Sequence, residues 1–460
     1  MSTRYPLSLQ QEWLWGVIRD NERWHCRPVS VFRLPGVLNV SLLQLCFQEV
    51  IQRHGALRTR IVAFDGSVWQ EIRDSAECVL EGLTVEGASD ALITSNARRY
   101  VEDFCDQRMA PAFGPLWEAR LLKLSEHEHW LVLAMHRLVG DCASIDQVHR
   151  ELKSLYEERL QGRPSALNPP TQYADYTAWQ HQTSEEWVKR HEPYWKQRLA
   201  GSAPLRWQTD ADLTASTPGI LGKVDCSFGR TLSTGVLELA RAARTLAAVP
   251  MLAIYATVLW WQCRQTDFVL PFNTAGRPTA YKYTIGYFSY ALYLRIHITG
   301  EETFRDLVSR IGNEFFSSLA HQDFGRLAVQ RPELLSGTVF QWLTLHREDA
   351  EERVAVRDFG NGLTVVPPGM TAAEVTVFDT ATGLHAFGSY RTDIFTVDTM
   401  GRFMTNLRWA ADFFVHNPDA RIAAVTEAGG DVHGTAERSG PDVQRGVEPV
   451  GGEARGGVLL

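Results

Sequence analysis

The chain has 460 residues, too many for one compact core and comfortable for two lobes. Its balance of 45% hydrophobic and 22% charged residues is that of a soluble globular protein, and a net charge of -8 gives no sign of the basic face that nucleic-acid binding needs. The 7 cysteines are odd in number and contain no CxxC pair, which speaks against a disulfide framework and a zinc site and for a reducing compartment. The opening MSTRYPLSLQQ has no apolar signal core, and the most apolar stretch, Val249 to Trp261, has 13 residues where a membrane span needs roughly 20. A cytoplasmic protein with no membrane partner is expected.

In chain order, Leu43, Cys46, Phe47 and Val50 fall at helical spacing and predict an amphipathic helix over Ser41–His54. Trp130–Met135 reads as a strand that feeds the segment His136-Arg137-Leu138-Val139-Gly140-Asp141-Cys142. A helix follows, opened by a Ser144–Gln147 capping box, with Ile145, Val148, Leu152 and Tyr156 on its inner face. Arg163–Pro170 (RPSALNPP) is turn-rich and reads as a linker. Beyond it we expect helices near Glu185–Leu199 and Leu237–Cys263 and a strand at Phe268–Phe272. A further helix carries Phe304, Val308, Ile311 and Phe315 on one face, and Val339–Leu345 and Asp393–Val397 read as strands. From about Gly429 the chain is Gly-rich and charged with few aromatics, and is expected to be disordered.

Several short segments carry more specific information. Pro6-Leu7-Ser8-Leu9-Gln10-Gln11-Glu12-Trp13-Leu14-Trp15 is followed by Arg53-His54-Gly55-Ala56-Leu57-Arg58-Thr59, and later by Tyr173-Ala174-Asp175-Tyr176-Thr177-Ala178-Trp179-Gln180. Then come Gly276-Arg277, Ile285-Gly286-Tyr287-Phe288 and Leu294-Arg295, next His321-Gln322-Asp323, and last Tyr390-Arg391-Thr392-Asp393-Ile394-Phe395. Each alone is a weak signal. In this order, with the His136–Cys142 segment between them, they resemble the motifs of the condensation domains of nonribosomal peptide synthetases, and the chain is identified as a free-standing member of that family.

The resemblance implies an α/β fold of two chloramphenicol-acetyltransferase-like lobes in a V with a central tunnel. It places the lobes at residues 1–170 and 171–428, ahead of the tail at 429–460. It implies a monomer with no cofactor of its own, which works with acyl- or peptidyl-carrier proteins bearing phosphopantetheine. The family joins a carrier-bound acyl thioester to an amine or, in some members, a hydroxyl.

The third motif departs from the family pattern His-His-x-x-x-Asp-Gly. Here it reads His136-Arg137-x-x-x-Asp141-Cys142. The second His is the residue usually assigned to positioning or deprotonating the acceptor. Arg137 cannot act as that base, because a guanidinium stays protonated and offers only donors. It retains the capacity to donate to an oxyanion. His136, normally structural, is a substitute base only if its ring turns towards the tunnel. Asp141 and Arg58 match positions that form a salt bridge behind the site, and Cys142 adds a side chain where the family has Gly. In the fifth motif Tyr290 stands where the family has Asn, lining the tunnel with Gly286 and Phe288. His54 and His346 read as structural histidines, and Ser8, Trp179 and His321 as architectural.

Two functions fit. In the first, the protein is a condensation enzyme that makes an amide or ester from a carrier-bound thioester. In the second, it is a silent platform like the X-domain of glycopeptide synthetases, which also has His-Arg in this motif and recruits a cytochrome P450 to a carrier-bound peptide.

Overall fold

The computed structural model describes residues 2–19, 27–77, 80–105, 107, 109–211, 219–322, 330–335, 337–344, 365–366 and 371–428. Asp323, His346 and the 429–460 tail lie outside these residues.

The first half runs β1 (Ser2–Pro6), α1 (Leu9–Ile18), β2 (Val29–Pro35), α2 (Val40–Arg53), β3 (Thr59–Phe64) and β4 (Ser67–Arg73). It continues through β5 (Glu81–Thr84), α3 (Asp90–Cys105), β6 (Trp117–Ser125), β7 (Glu128–Met135) and α4 (Cys142–Leu160). Its main sheet has the order β2-β7-β6-β5, and β1, β4 and β3 form a small antiparallel sheet beside it. All but the first residue of β7 are buried, because both sheet faces are covered. Leu131, Leu133 and Met135 join one core with residues of α2 and α4, while Trp130, Val132 and Ala134 join another with Val101 and Phe104 of α3.

After the exposed linker come α5 (Tyr173–Gln182) and α6 (Ser184–Arg198). The second half is built from β8 (Gly219–Ser227), α7 (Gly229–Ala242), α8 (Ala248–Cys263), β9 (Asp267–Thr274), β10 (Tyr290–His297) and α9 (Phe304–Ala320). It closes with β11 (Thr338–Thr344), β12 (Val365–Val366), β13 (Ala373–Thr380), β14 (Gly383–Arg391), α10 (Val397–His416) and α11 (Ala424–Glu427). The seven-stranded sheet has the order β10-β9-β11-β13-β14-β8-β12, with β9, β11 and β13 parallel. Residues of α7 to α10 pack with it in one large core. The helix α8 is buried at nearly every position, and no helix among the described residues is long and apolar enough to cross a membrane.

Three expectations need correction. The stretch Leu237–Cys263 is two helices, separated at a turn where Arg244 takes a left-handed φ of 51°. Asp393–Val397 is a turn: the Arg391 guanidinium bonds the Asp393 carboxylate, and Thr396 caps α10. The helix α4 begins ahead of Ser144, because Asp141 is its N-cap and accepts from the Ser144 amide.

The two halves are knitted together by the first, fourth and fifth motifs. Trp13 and Trp179 pack against both large cores. Ser8 caps α1 and bonds the Tyr173 hydroxyl at 2.7 Å, while Gln10 donates to Tyr176 Oη and to the Phe288 carbonyl. Ile285, Tyr287 and Phe288, between β9 and β10 of the second half, are buried in the core of the first.

Candidate functional site

The site grows from the turn that joins β7 to α4. The His136 carbonyl accepts from the Val139 amide at 2.9 Å, and His136 Nδ1 accepts from the Leu138 amide at 3.1 Å. Gln11 Nε2 donates to the Leu138 carbonyl at 2.6 Å, so the first motif braces the third. A Cβ on Gly140 would stand 1.9 Å from Met135 Sδ, so the turn has no room for a larger residue unless Met135 moves. His136 is buried with its one neutral-ring lone pair engaged, whereas Arg137 and Cys142 are half-buried.

Asp141 is the centre of a clasp between the halves. It caps α4 and takes two bonds from Arg277, 2.5 Å from Nη2 to Oδ1 and 2.9 Å from Nη1 to Oδ2. Its Oδ2 also accepts from the Phe288 amide and the Ser289 hydroxyl, and its Oδ1 from Ser144. Ser144 Oγ in turn lies 3.1 Å from the Gly286 amide and 2.9 Å from the Arg277 guanidinium. Burial pushes the Asp141 carboxyl up, but Arg277 and these donors more than offset it and hold the group below its ordinary range. Gly286 is needed for close approach: a Cβ there would meet the Tyr173 ring at 2.0 Å.

The expected Arg58–Asp141 bridge is therefore wrong, and the partner is Arg277. Arg58 closes the short turn after α2, where its guanidinium is taken up by the carbonyls of Ile51, Gln52, Arg73 and Asp74. Burial lowers its pKa, while Asp74 acts the other way. Of the other predicted residues, Gly286 and Phe288 belong to the clasp. Tyr290 is buried at the start of β10 against Gly276, in the core of the second half. His54 contacts Glu151 at 3.0 Å as a structural histidine, and His321 stacks on Tyr194 with its carbonyl bonded to Trp195.

Sequence reasoning missed Glu374 altogether, and it gave Arg277 no role. Arg277 was in view, beside Gly276 in the fifth motif. Glu374 gave no signal, because one acid in the alternating strand AEVTVFDT reads as an outward-facing position. It is half-buried, accepts from Thr376 Oγ1 at 3.2 Å, and feels the charge of Arg137 from the other half. Burial raises its carboxyl above the ordinary range despite Arg137 and Thr376.

With this geometry in place, relatives can be compared. The Condensation domain family matches residues 1–428, and the chain belongs to that family of nonribosomal peptide biosynthesis. It is 28% identical over 443 residues to chondramide synthase cmdD of Chondromyces crocatus, across 92% of this chain and 11% of that protein. The chain therefore spans about a tenth of that curated relative's length. Among solved structures it is similar to the SgcC5 protein from Streptomyces globisporus, with a TM-score of 0.78, 23% identity and coverage of 90% and 100% of the two chains. It is similar also to the X-domain from teicoplanin biosynthesis, with a TM-score of 0.76, 20% identity and coverage of 91% and 97%. A second structure holds that X-domain in complex with OxyB. These likenesses establish the α/β condensation-domain fold.

Proposed function

We propose that the protein catalyses condensation-type acyl transfer, forming an amide or ester from a carrier-bound thioester in nonribosomal peptide or related specialised-metabolite biosynthesis. The observation that supports this most is the complete clasp around Asp141, which holds the Arg137 turn against the second half although the second His is gone. Such bracing fits a site that must fix two substrates, where most of the rate comes from proximity. The phosphopantetheine arms belong to the partner carriers. In this reading the two lobes, 1–170 and 171–428, divide in the exposed linker ahead of α5, and the chain is a cytoplasmic monomer. His136 is not the base, because its lone pair is used by the Leu138 amide. Arg137 donates to the oxyanion.

The presence of Arg137 in place of His also favours a second reading, a silent platform that recruits a tailoring enzyme such as a cytochrome P450 to a carrier-bound intermediate. A single-turnover assay separates the two. The donor carrier is loaded with its acyl group, the acceptor is added, and the thioester is followed by intact-protein mass spectrometry. Protein-dependent transfer supports the enzyme, and Arg137→Ala then costs about a hundredfold in rate. Normal carrier binding without transfer supports the platform.

A further inference from the structure

Residues 191, 194 and 198 of α6 meet residues 321, 318 and 314 at the C-terminal end of α9, so the two helices run antiparallel. Arg198 Nε donates to Glu314 Oε1 at 2.8 Å, and the Tyr194 and Ser318 hydroxyls lie 3.3 Å apart. The last rung of this ladder is His191 Nδ1 to His321 Nδ1, at 3.0 Å. We propose that this rung is a proton-operated latch, closed while the two rings hold at most one extra proton between them and open when both are charged.

A neutral imidazole has one ring N–H and one lone pair, so two Nδ1 atoms bond only if one carries the proton and the other accepts. The ring centroids are 5.1 Å apart, so the two nitrogens point nearly head-on. That geometry suits a shared proton and not a metal, whose ligand lone pairs must converge on one point, and the described residues hold no group of three metal-ligating side chains. One added proton leaves the rung in place, because the charged ring still donates to the neutral one. A second sets two N–H groups and two like charges face to face. The rings have little freedom to swing apart: His191 stacks on Trp187, and His321 stacks on Tyr194 while its carbonyl accepts from Trp195 Nε1 at 2.6 Å. The charged neighbours are Arg190 of α6 and, further along both helices, the Arg198–Glu314 pair, with Glu192 taken up by Lys196. Burial comes first among the causes that hold His191 below 6.5, followed by His321 and Arg190. The neutral ring therefore stabilises the fold above 6.5, and this contribution drains away as pH falls through the lower folded value. Thr183 alone separates α5 from α6, so the latch also steadies the helix whose Gln180 accepts from the Leu9 amide of the first motif.

The test begins with the parent protein. Long-range proton–nitrogen NMR spectra of its histidine rings at about pH 8 should show Nδ1–H on one ring of the pair and Nε2–H on the other. Two rings of the Nε2–H form overturn the latch. Hydrogen exchange of α6 is then followed at about pH 5 and about pH 8 in the parent, His191→Asn and His321→Asn, with α10 as the internal reference. Asparagine puts an amide that both donates and accepts near the Nδ1 position, and it does not titrate. Corrected for intrinsic rates, the parent α6 should exchange about fivefold faster at the lower pH, the scale of one ordinary hydrogen bond. Each Asn variant should lose that increase. Equal protection of the parent α6 at the two pH values, or an increase that both variants keep, overturns the latch. Thermal unfolding at the higher pH checks the fold of each variant. If neither variant folds, the parent tautomers and the parent exchange ratio decide.

Discussion

Asp141 and Glu374 are two carboxyls that burial pushes up, with opposite outcomes. Asp141 comes from the first half and is ion-paired with Arg277 of the second, while Glu374 comes from the second and has the charge of Arg137 as a cause that favours its ionised form. Burial raises both groups. Around Asp141 a paired guanidinium, two backbone amides and two hydroxyls outweigh it, whereas around Glu374 burial wins over Arg137 and Thr376. Desolvation is an expense met only when the lone pairs of the ion are satisfied. A saturated carboxylate is a structural clasp. One that lacks such donors titrates above its ordinary range.

The largest expected effect comes from opening the clasp. Arg277→Ala leaves the Asp141 charge buried and should lower stability by about 3–5 kcal/mol, read by denaturant unfolding. Arg277→Lys keeps the charge but not the two-pronged geometry and should fall between the two. Next, Gly286→Ala should cost about 1–3 kcal/mol, because the new methyl runs into the buried Tyr173 ring. An unchanged unfolding midpoint would show that the fifth motif does not need its close approach to Tyr173.

Two smaller effects depend on pH. The folded pKa of Glu374 is raised, so its contribution to stability is present below the unfolded value and is lost as pH rises through the folded one. Glu374→Gln should therefore raise the thermal midpoint at neutral pH and leave it unchanged below the ordinary carboxylate range. Glu151 gives the opposite sign. Burial alone would raise it, but His54, Gln147 and Arg53 bring its pKa down from 4.5 to about 2. Its stabilising contribution is present above 4.5 and drains away as pH falls through about 2, so Glu151→Gln should flatten that part of the acid unfolding curve.

Local patterns were legible wherever one chain segment carried its own signal. The face Phe304, Val308, Ile311 and Phe315 foretold α9, and Leu43 to Val50 foretold α2 within a residue of its ends, because helical amphipathicity depends only on spacing along the chain. The motif order foretold the family and its fold. The sequence also located the β7–α4 turn and showed that Arg137 is no base. It failed where a short signal is ambiguous: DIFTV has the composition of a strand but is a turn set by the Arg391–Asp393 pair and the Thr396 cap. It also failed wherever partners lie far apart in the chain. On paper the motif resemblance paired Asp141 with Arg58, and nothing in the sequence pointed to Arg277. Only the burial of Ile285–Phe288 in the first-half core brings Arg277 there, while Arg58 is used up by carbonyls at the end of α2. Glu374 is one acid in an alternating strand, and the burial that raises it exists only once that strand takes its place in the folded sheet. Spacing along the chain determined the elements and the family. The balance of desolvation against donors contributed from distant segments was decided by the tertiary structure alone, because those donors come together only on folding.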